Sequence, residues 1–393
     1  MLILILYLPV KGIGMLAEIL WIVFGVALAV QLIYILIIFG RMSFFYRNRP
    51  TTESEANPEG VTVVVAAHNE KENLEQLIPA LCEQDYPNYD VMVINDRSND
   101  GSRKLLEEMM AKYPRLRTVT VKYTPEHLTS KKYALTLGIK VAKNDVLLLT
   151  DADCMPSSNQ WIRLMTAPVR LQKKDFALGF SPYKKGKGLL GRWIQFETLW
   201  TAIQYFSFAL WKAPYMGIGR NLCYRRSFFM DKKAFKGLWQ IECGDDDLFV
   251  NRYANGSNTA VVVDPESITL SEPKTTWKSY FRQKKRHFHA GKYYRASDKQ
   301  KIGIYSFTHL VFWLAAAALL ILFGLERNWE HFALVLGIII VRSVLLTSVF
   351  TSARRKLEGN KRLFWTGLYD VMYMGHFWIL GTLGYQSRRV RWK

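Results

Sequence analysis

The chain has 393 residues, and its 53 lysines and arginines outweigh 33 aspartates and glutamates to give a formal net charge of +20. The length accommodates one large domain with membrane segments, or two domains. The charge suits nucleic acid, an anionic membrane face or phosphorylated substrates. Because the basic residues gather beside apolar and aromatic stretches and no nucleic-acid-binding module is recognisable, we expect no nucleic-acid partner. The four cysteines lack metal-binding spacing and are expected to be free thiols in a reducing compartment.

The N-terminal region is predicted to enter the membrane. The stretch from Met15 to Phe39 is almost continuously apolar and, at about 25 residues, long enough to span a bilayer. Three arginines follow it: Arg41, Arg47 and Arg49. By the positive-inside rule they place the C-terminal end of the span in the cytoplasm, whereas the earlier apolar run from Met1 to Val10 is too short to span. We therefore assign residues 1–49 to a membrane segment and 50–60 to a polar linker.

From Val61 onward, apolar runs alternate with amphipathic stretches. The predicted strands are Val61–Ala66, Asp90–Ile94, Thr118–Val121, Val146–Thr150 and Phe176–Phe180. The predicted helices between them are Leu74–Cys82, Ser102–Tyr113, Lys131–Ala142 and Asn159–Leu171. Strands that alternate with helices predict an α/β domain with a doubly wound, mostly parallel sheet. We assign this cytoplasmic domain to residues 61–298.

Residues 299–393 form a second predicted membrane region. Its three apolar segments are Ile304–Leu325, Phe332–Phe350 and Phe364–Tyr385. Arg342 lies near the middle of the second segment, where it must face protein or water, and Asp370 and His376 interrupt the third. Three full crossings would put four terminal cations outside, against the positive-inside rule: Arg388, Arg389, Arg391 and Lys393. One of the last two segments is therefore re-entrant or interfacial, and the sequence does not choose between them.

The stretch from Trp193 to Tyr215 is rich in aromatic residues but interrupted by Gln195, Glu197, Gln204 and Lys212. Amphipathic aromatic helices favour the membrane interface, so this segment could lie there. An ordinary buried helix beneath the functional site explains the same composition equally well. Both interpretations remain open from the sequence.

The strand that begins at Val146 ends on two carboxylates one residue apart, Asp151 and Asp153. Carboxylates are the hard oxygen ligands that Mg²⁺ and Mn²⁺ prefer, usually together with substrate phosphates. Ligands of open α/β sheets bind at this edge of the sheet. Asp-x-Asp alone is also common in simple turns, so the motif needs support from other residues.

Polar residues follow the first two strands as well. Ala67, His68, Asn69 and Glu70 open a helix, and a helix N-terminus can present backbone N–H groups to a nucleotide. Asp96 follows the second strand, where its carboxylate can accept hydrogen bonds from a base or a ribose. The residues after it, 99–102, are typical of a turn with a helix N-cap.

Three further groups carry charge that ordinary folding does not require. Lys131 begins a helix, where a cation opposes the macrodipole. The lysine could reach a pyrophosphate there, or it could be a solvated surface charge. Asp245, Asp246 and Asp247 stand together after a Gly-rich turn, and mutual repulsion suits one of them to act as a general base, although a solvated turn is the alternative. The basic run ending at His287 could anchor to lipid or stabilise a departing diphosphate.

The order of these motifs resembles the membrane-integrated branch of the family 2 inverting glycosyltransferases with the GT-A fold, which includes cellulose, hyaluronan and poly-N-acetylglucosamine synthases and ceramide glucosyltransferases. The resemblance covers roughly residues 61–291. Four ordered motifs carry it: Asn95-Asp96, Asp151-Ala152-Asp153, Gly244-Asp245-Asp246 and Gln283-Lys284-Lys285-Arg286-His287. It implies a GT-A fold, a nucleotide-sugar donor and Mg²⁺ or Mn²⁺ as cofactor.

The resemblance also implies roles for individual residues. Asp153 would hold the metal, shared with Asp151, and Asp246 would deprotonate the acceptor, with Asp245 and Asp247 as alternatives. The positions expected to bind the nucleotide-sugar are Ala67, Asn69, Glu70, Asp96, Lys131, Asp151, Gln283, Arg286 and His287. His287 departs from the family, which has a tryptophan there that packs against an acceptor sugar. This departure weakens the case for a processive polymer synthase.

We therefore expect a multi-pass glycosyltransferase of the inner (plasma) membrane whose catalytic domain is cytoplasmic. It would transfer a sugar, with inversion, from a nucleotide-diphospho-sugar such as a UDP-sugar to a lipid, lipid-linked or growing glycan acceptor. A processive polysaccharide synthase is the first alternative. A non-catalytic nucleotide-sugar-binding scaffold in contact with membrane lipids is the second.

Overall fold

The computed structural model describes residues 14–45, 58–360 and 362–387. The chain starts with a 30-residue helix, α1 (Met15–Phe44), whose section Ile33–Phe39 is wound as a π-helix. Several predicted features lie outside the described residues: the run Met1–Val10, most of the linker 50–60, Arg47, Arg49 and the four C-terminal cations.

Among the described residues, nine strands follow α1, and seven of them form one sheet. In chain order they are β1 (Val61–Ala67), β2 (Tyr89–Asp96), β3 (Leu116–Val121), β4 (Val146–Asp151), β5 (Cys154–Pro156), β6 (Phe176–Leu178), β7 (Leu222–Arg225), β8 (Thr259–Val261) and β9 (Thr269–Ser271). The sheet order is β3-β2-β1-β4-β7-β6-β8, in which β7 runs opposite to its neighbours and the other pairs are parallel. Strands β5 and β9 form a separate antiparallel ribbon. The predicted doubly wound α/β fold is thus confirmed.

Eight helices accompany these strands. They are α2 (Lys71–Cys82), α3 (Ser102–Lys112), α4 (Ser130–Val141), α5 (Trp161–Leu171), α6 (Gly188–Leu210), α7 (Arg226–Asp231), α8 (Asp247–Tyr253) and α9 (Trp277–Ala290). Alternate residues of the central strands enter two cores: Val63 and Leu148 pack with residues of α2, α3 and α5, and Val64 and Leu147 pack with residues of α4 and α6. A parallel strand covered on both faces has no polar side, which is why β1 and β4 are continuously apolar.

Helix α6 contains most of the aromatic stretch whose place the sequence left open. It is buried along most of its length and lies between the sheet and the apolar helices. Trp200 packs on Phe39 of α1, and the Tyr205 hydroxyl donates a 2.7 Å hydrogen bond to the carbonyl of Gly179 beside β6. The buried-helix interpretation is the one that the structure bears out.

Three more helices follow in the described part of the chain: α10 (Ala296–Leu325), α11 (Trp329–Glu358) and α12 (Gly367–Gln386). Within the part of the chain that the structure describes, α1, α10 and α11 are long and apolar enough to cross a membrane. Helix α12 instead lies along α9: the carbonyl of Gly384 contacts the imidazole Nδ1 of His289, and that of Ser387 accepts a 2.7 Å hydrogen bond from Lys292. These contacts favour the last segment as the one that does not cross.

A buried polar network joins all four of these helices. The Arg342 guanidinium on α11 lies 2.6 Å from the Asp370 carboxylate on α12 and donates a 2.8 Å hydrogen bond to Gln31 on α1. His309 and Trp313 on α10 reach the same carboxylate at 3.0 and 3.2 Å. The cation near the middle of α11 therefore faces protein, as an arginine at membrane depth must.

Candidate donor and catalytic site

The carboxyl ends of three parallel strands bring the predicted donor residues to one edge of the sheet. Ala67 at the end of β1 is in register with Asn95, which precedes Asp96 on β2. On the other side of β1, Ala66 is in register with Asp151 at the end of β4. The strand ends that carry Asp96 and Asp151 therefore flank the same central strand, at the edge where ligands of open α/β sheets bind.

The loops after β1 and β2 are fastened to each other. The backbone N–H of Asn69 donates to the Ser98 hydroxyl at 2.9 Å, and the Asn69 side chain accepts from the N–H of Asn99 at 2.8 Å. Glu70 accepts a 2.6 Å hydrogen bond from Asn73 within α2. Asn69 and Glu70 thus shape the wall that these two loops form.

Asp96 is buried and paired with its own neighbour. Arg97, in a left-handed conformation with φ of 55°, donates to both oxygens of the Asp96 carboxylate at 2.8 and 3.3 Å. The same guanidinium donates at 2.6 Å to Ser130, which begins α4 immediately before Lys131. Arg97 therefore connects the predicted nucleoside position to the predicted diphosphate position, a role that the sequence did not reveal.

Lys131 joins two acidic motifs that are far apart in the sequence. Its ammonium lies 3.0 Å from Asp151 and 3.0 Å from Asp245. Burial alone would lower the pKa of Lys131, but these two carboxylates raise it above its ordinary value. A permanently charged ammonium thus stands at the boundary between the strand-end motif and the acidic triplet.

The three adjacent carboxyls of the triplet differ in their charge states. Burial would raise the pKa of Asp245, but Lys131 and Lys132 hold it below its ordinary value, so this carboxylate is ionised. Burial and the Asp245 charge raise the pKa of Asp246. Burial and Asp246 raise the pKa of Asp247 to about 8, and its carboxyl accepts a 2.8 Å hydrogen bond from the Tyr294 hydroxyl. Asp247 therefore holds its proton at neutral pH, which disfavours it as a base.

Asp246 is held by the Gly-rich turn that precedes β7. The backbone N–H of Gly219 donates to the Asp246 carboxylate at 2.5 Å. A Cβ atom at position 219 would stand 3.1 Å from that carboxylate oxygen, tighter than most real contacts. Glycine thus permits this close backbone approach, which orients the carboxyl whose raised pKa suits general-base chemistry.

Arg220, next in the turn, faces the strand-end carboxylates. Its guanidinium stacks 4.5 Å above the ring of Tyr183 and donates a 3.0 Å hydrogen bond to Ser271 on β9. Burial would lower its pKa, but Tyr183, Cys154, Asp151 and Asp153 raise it. Arg220 is a second candidate site residue, after Arg97, that the sequence did not reveal, although the Gly-x-Gly-Arg run after an α/β core was a usable signal.

Helix α9 carries the predicted residues Gln283, Arg286 and His287. The Gln283 amide donates to the Tyr183 hydroxyl at 3.2 Å, and the backbone carbonyl of Arg286 accepts from the Cys243 thiol at 3.4 Å, two residues before the triplet. His287 keeps solvent access within the cleft. Enclosure by protein and the charges of Lys284 and Arg286 lower the pKa of His287, so its imidazole is neutral at pH 7.

The loop before the triplet is secured by Lys132. Its ammonium donates to the backbone carbonyls of Ile241 and Cys243, the second at 2.7 Å. Burial lowers the pKa of Lys132 in spite of the neighbouring Asp245. Two consecutive lysines at the start of α4 thus divide their work: Lys131 contacts the carboxylates, and Lys132 fixes the backbone that presents them.

Asp151, Asp153 and Cys154 offer ligand atoms within 4.8 Å of one another. The Cys154 thiol is fully buried, and it donates a weak 3.3 Å hydrogen bond to Asp153. Burial raises the pKa of Cys154, so the thiol stays protonated and the two carboxylates are the usable donors. A pair of carboxylate ligands fits Mg²⁺ or Mn²⁺ better than Zn²⁺, which favours thiolate and imidazole.

Comparisons with known proteins show what this chain is similar to. Residues 62–232 match the model of the family described as glycosyl transferase family 2. The chain is 24% identical over 363 residues to the probable glycosyltransferase YdaM of Bacillus subtilis, covering 86% of this chain and 84% of that protein. It is 27% identical over 107 residues to the beta-monoglucosyldiacylglycerol synthase of Trichormus variabilis, but that match covers only 27% of this chain and 22% of the synthase.

A solved structure shares the fold. The mannosyltransferase PcManGT from Pyrobaculum calidifontis, in complex with GDP-Man and Mn²⁺, superposes with a TM-score of 0.56 at 16% sequence identity. The match covers 88% of this chain and 100% of that chain. Together with the strand order described above, this likeness confirms the predicted GT-A architecture.

Proposed function

We propose that this protein transfers a sugar from a nucleotide-diphospho-sugar to a lipid or lipid-linked acceptor. The premise is that residues 62–232 form a glycosyl transferase family 2 domain and that the protein is a glycosyltransferase. A UDP-sugar is the preferred donor. The proposal rests chiefly on one observation: Lys131 contacts Asp151 and Asp245 at 3.0 Å each and so joins the strand-end motif to the acidic triplet.

On the donor side, Asp96 would accept hydrogen bonds from the nucleoside once Arg97 shares its carboxylate with the ligand. Lys131 and Arg220 would stabilise the diphosphate, because both are cations held beside the strand end. Asp151 and Asp153 would hold Mg²⁺ or Mn²⁺, which, when bound, neutralises charge on the leaving nucleoside diphosphate. The Mn²⁺ in the PcManGT complex supports this cofactor class.

On the acceptor side, Asp246 would take the proton of the attacking hydroxyl. The hydroxyl oxygen forms a bond to the anomeric carbon as the bond from that carbon to the diphosphate breaks, so the configuration inverts. Asp246 suits this step because its pKa is raised toward the working pH while the N–H of Gly219 fixes its orientation. Asp245, which Lys131 holds ionised, remains the second choice for the base.

The apolar helices support an acceptor that resides in the membrane. The three candidate spans among the described residues enclose too little to form a wide channel, which favours a single transfer over extrusion of a polymer. His287, which stands where the synthases have tryptophan, points the same way. The name of the Trichormus synthase, a glycolipid-forming enzyme, adds support for a lipid acceptor.

The proposed location is the plasma membrane, with the catalytic domain at its cytoplasmic face. Helices α10 and α11 form a hairpin that leaves the domain and returns to it, and Arg41 follows the apolar part of α1. With α12 on the domain side, the C-terminal cations of the sequence would also be cytoplasmic, which removes the conflict with the positive-inside rule.

The test is nucleotide release by the full chain in lipid nanodiscs, with Mn²⁺ and a panel of UDP- and GDP-sugars. We expect turnover with one donor class, and a fall of about 10²–10⁴-fold in kcat for Asp246→Asn. Asp231→Asn, at an exposed position on the far end of α7, is the matched control and should behave as wild type. Full activity of Asp246→Asn would refute the base assignment, and no turnover of any donor would refute the proposed function.

A further inference from the structure

A cavity of about 390 Å³ lies on the other side of Tyr183 from the site described above. Four segments line it: the residues before α6, α6 itself, the residues around β9, and the end of α11. Glu358, in its wall, is the last residue of the candidate span α11. The cavity therefore stands where a membrane helix meets the catalytic domain, at the level expected for lipid headgroups.

The lining is apolar on one side and cationic on the other. Pro182, Ile268 and Leu270 supply the apolar wall. Opposite them are two lysines: Lys184, which pairs with Glu272 at 2.6 Å, and Lys185, for which the described residues provide no ion-pair partner. A cavity with an apolar wall and an uncompensated ammonium fits an anionic group that carries a hydrocarbon tail.

Two side chains of α6 add hydrogen-bonding groups to the same cavity. The half-buried Gln195 amide lines it, and Thr198, a buried residue, has a hydroxyl without a hydrogen-bond partner among the described residues. The acidic member of the lining, Glu358, is already paired with Arg354 at 3.0 Å. A hydroxyl without a hydrogen-bond partner, an amide, and a lysine without an ion-pair partner among the described residues are groups that can bind phosphate oxygens.

The two lysines are held in place by backbone packing. Gly186 lies so close to Gly191, in the first turn of α6, that a Cβ atom at Gly186 would stand 2.8 Å from the Gly191 Cα. A Cβ at Gly191 would come within 2.3 Å of the Gly186 carbonyl carbon. The backbone of the segment that carries Lys184 and Lys185 is thus packed closely against the start of α6.

Tyr183 separates this cavity from the catalytic cleft and contacts both. Its hydroxyl accepts from Gln283 on α9, and its ring supports the Arg220 guanidinium at 4.5 Å. A ligand that displaced Tyr183 would therefore also shift the contacts of Gln283 and Arg220, two residues assigned to the donor site. This contact gives the cavity a direct physical connection to catalysis.

We propose that this cavity binds the phosphate group of a membrane lipid, with Lys185 as its charge partner and Gln195 as a hydrogen-bond donor. The lipid is either an anionic phospholipid or the lipid-linked acceptor itself, and the second case rests on the proposed function. In both cases the chemistry is the same: a phosphate oxygen at the ammonium and a hydrocarbon tail against Ile268 and Leu270.

The direct test uses isothermal titration calorimetry to measure the binding of dodecyl phosphate to the purified full chain in a non-ionic detergent. Loss of a charge-assisted hydrogen bond should weaken binding about tenfold in Lys185→Ala. Lys185→Arg should restore it. Lys187→Ala removes an exposed lysine of the same segment that does not line the cavity, and it should bind as wild type. Equal binding by Lys185→Ala, or equal loss in Lys187→Ala, would overturn the proposal.

Nucleotide release in phosphatidylcholine nanodiscs then separates the two lipid sources. Stimulation by added phosphatidylglycerol that disappears in Lys185→Ala identifies a phospholipid. A prenyl phosphate acceptor whose KM rises in Lys185→Ala at unchanged kcat identifies the acceptor. If neither lipid shows a response that depends on Lys185, the proposal is wrong. If wild type releases no nucleotide at all, the proposed function fails, and dodecyl phosphate binding alone decides the fate of the cavity.

Discussion

Two regions of this molecule bury carboxylates beside cations, and they treat the charge differently. In the catalytic cleft, three consecutive aspartates share two lysines, Lys131 and Lys132, and the second of these donates mainly to backbone carbonyls. Among the apolar helices, the single carboxylate of Asp370 receives Arg342 at 2.6 Å, His309 at 3.0 Å and Trp313 at 3.2 Å. The first cluster has more carboxylates than cations that contact them, whereas the single carboxylate of the second cluster has a cation and two further hydrogen-bond donors.

The difference corresponds to what each cluster is suited to do. Where cations are too few, burial and repulsion raise the pKa of Asp246 and Asp247, so that one carboxyl can exchange a proton near neutral pH. Where donors are complete, no proton needs to move, and the pair serves to hold four helices in register. A buried acid is thus a candidate for chemistry when its compensation is incomplete, and a candidate for packing when it is complete.

Among the variants that test this comparison of the two clusters, removal of Lys131 should have the largest effect on activity, because it deepens the charge deficit of the first cluster. We expect Lys131→Met to lower kcat/KM by about 10²–10³-fold, as for loss of one preorganised cationic donor. Lys131 lowers the pKa of Asp246, so its loss should raise that pKa further and move the acidic limb of the kcat profile to higher pH. Nucleotide release measured from pH 5 to 9 checks both effects.

The matched control for Lys131→Met is Lys140→Met, an exposed lysine at the other end of the same helix. It should leave the pH profile unchanged. A Lys131→Met enzyme that loses activity uniformly at every pH would show that the lysine contacts the donor without tuning the base.

Removal of one partner in the second cluster tests the opposite expectation. Arg342→Met leaves the Asp370 carboxylate buried without its main cation, which typically costs about 3–5 kcal/mol of stability. The KM for the donor in the folded fraction should not change. Thermal unfolding in nanodiscs measures the loss, and the double variant Arg342→Met/Asp370→Leu should recover most of it. A single variant as stable as wild type would mean that the pair does not hold the helices together.

The proton on Asp247 predicts how stability depends on pH. Its pKa rises to about 8 in the fold from an ordinary value near 3.8, so the native state binds one proton more than the unfolded state between these values. Stability should therefore fall as pH rises through this window, by up to about 1.4 kcal/mol per unit. Asp247→Asn keeps an acceptor for Tyr294 and should flatten the slope of Tm against pH. An unchanged slope would contradict the assignment.

Much of the fold and of the candidate site could be predicted from the sequence, and there are physical reasons why the remaining features could not. The long strands β1 and β4 and the order of the acidic motifs were predictable because apolar runs and fixed positions at strand ends leave a pattern. Strands β5, β7, β8 and β9 were missed because three or four residues are too few to show alternation. The pairing of Lys131 with Asp245 joins residues more than a hundred positions apart, and no local pattern records it.

Arg342 also shows what the sequence can and cannot predict. The sequence showed that it had to face protein, since an arginine in lipid is costly, but the identity of its partners required the packing of α1, α10 and α12. Likewise, the sequence left three candidates for the base. Only the contacts of Asp245 with Lys131 and of Asp247 with Tyr294 distinguish the charge states of the triplet.

The smallest expected effect concerns geometry rather than charge. Gly219→Ala adds a methyl group about 3.1 Å from the Asp246 carboxylate, so the carboxylate must move by a few tenths of an ångström while every charge stays in place. Because a displacement of about 1 Å can cost 10²-fold, we expect kcat to fall about tenfold, with little change in Tm. Gly291→Ala, where nothing lies within 4 Å of the added carbon, is the control. If Gly219→Ala retains full activity, the reactivity of Asp246 depends on the charge deficit alone and not on its orientation by the turn.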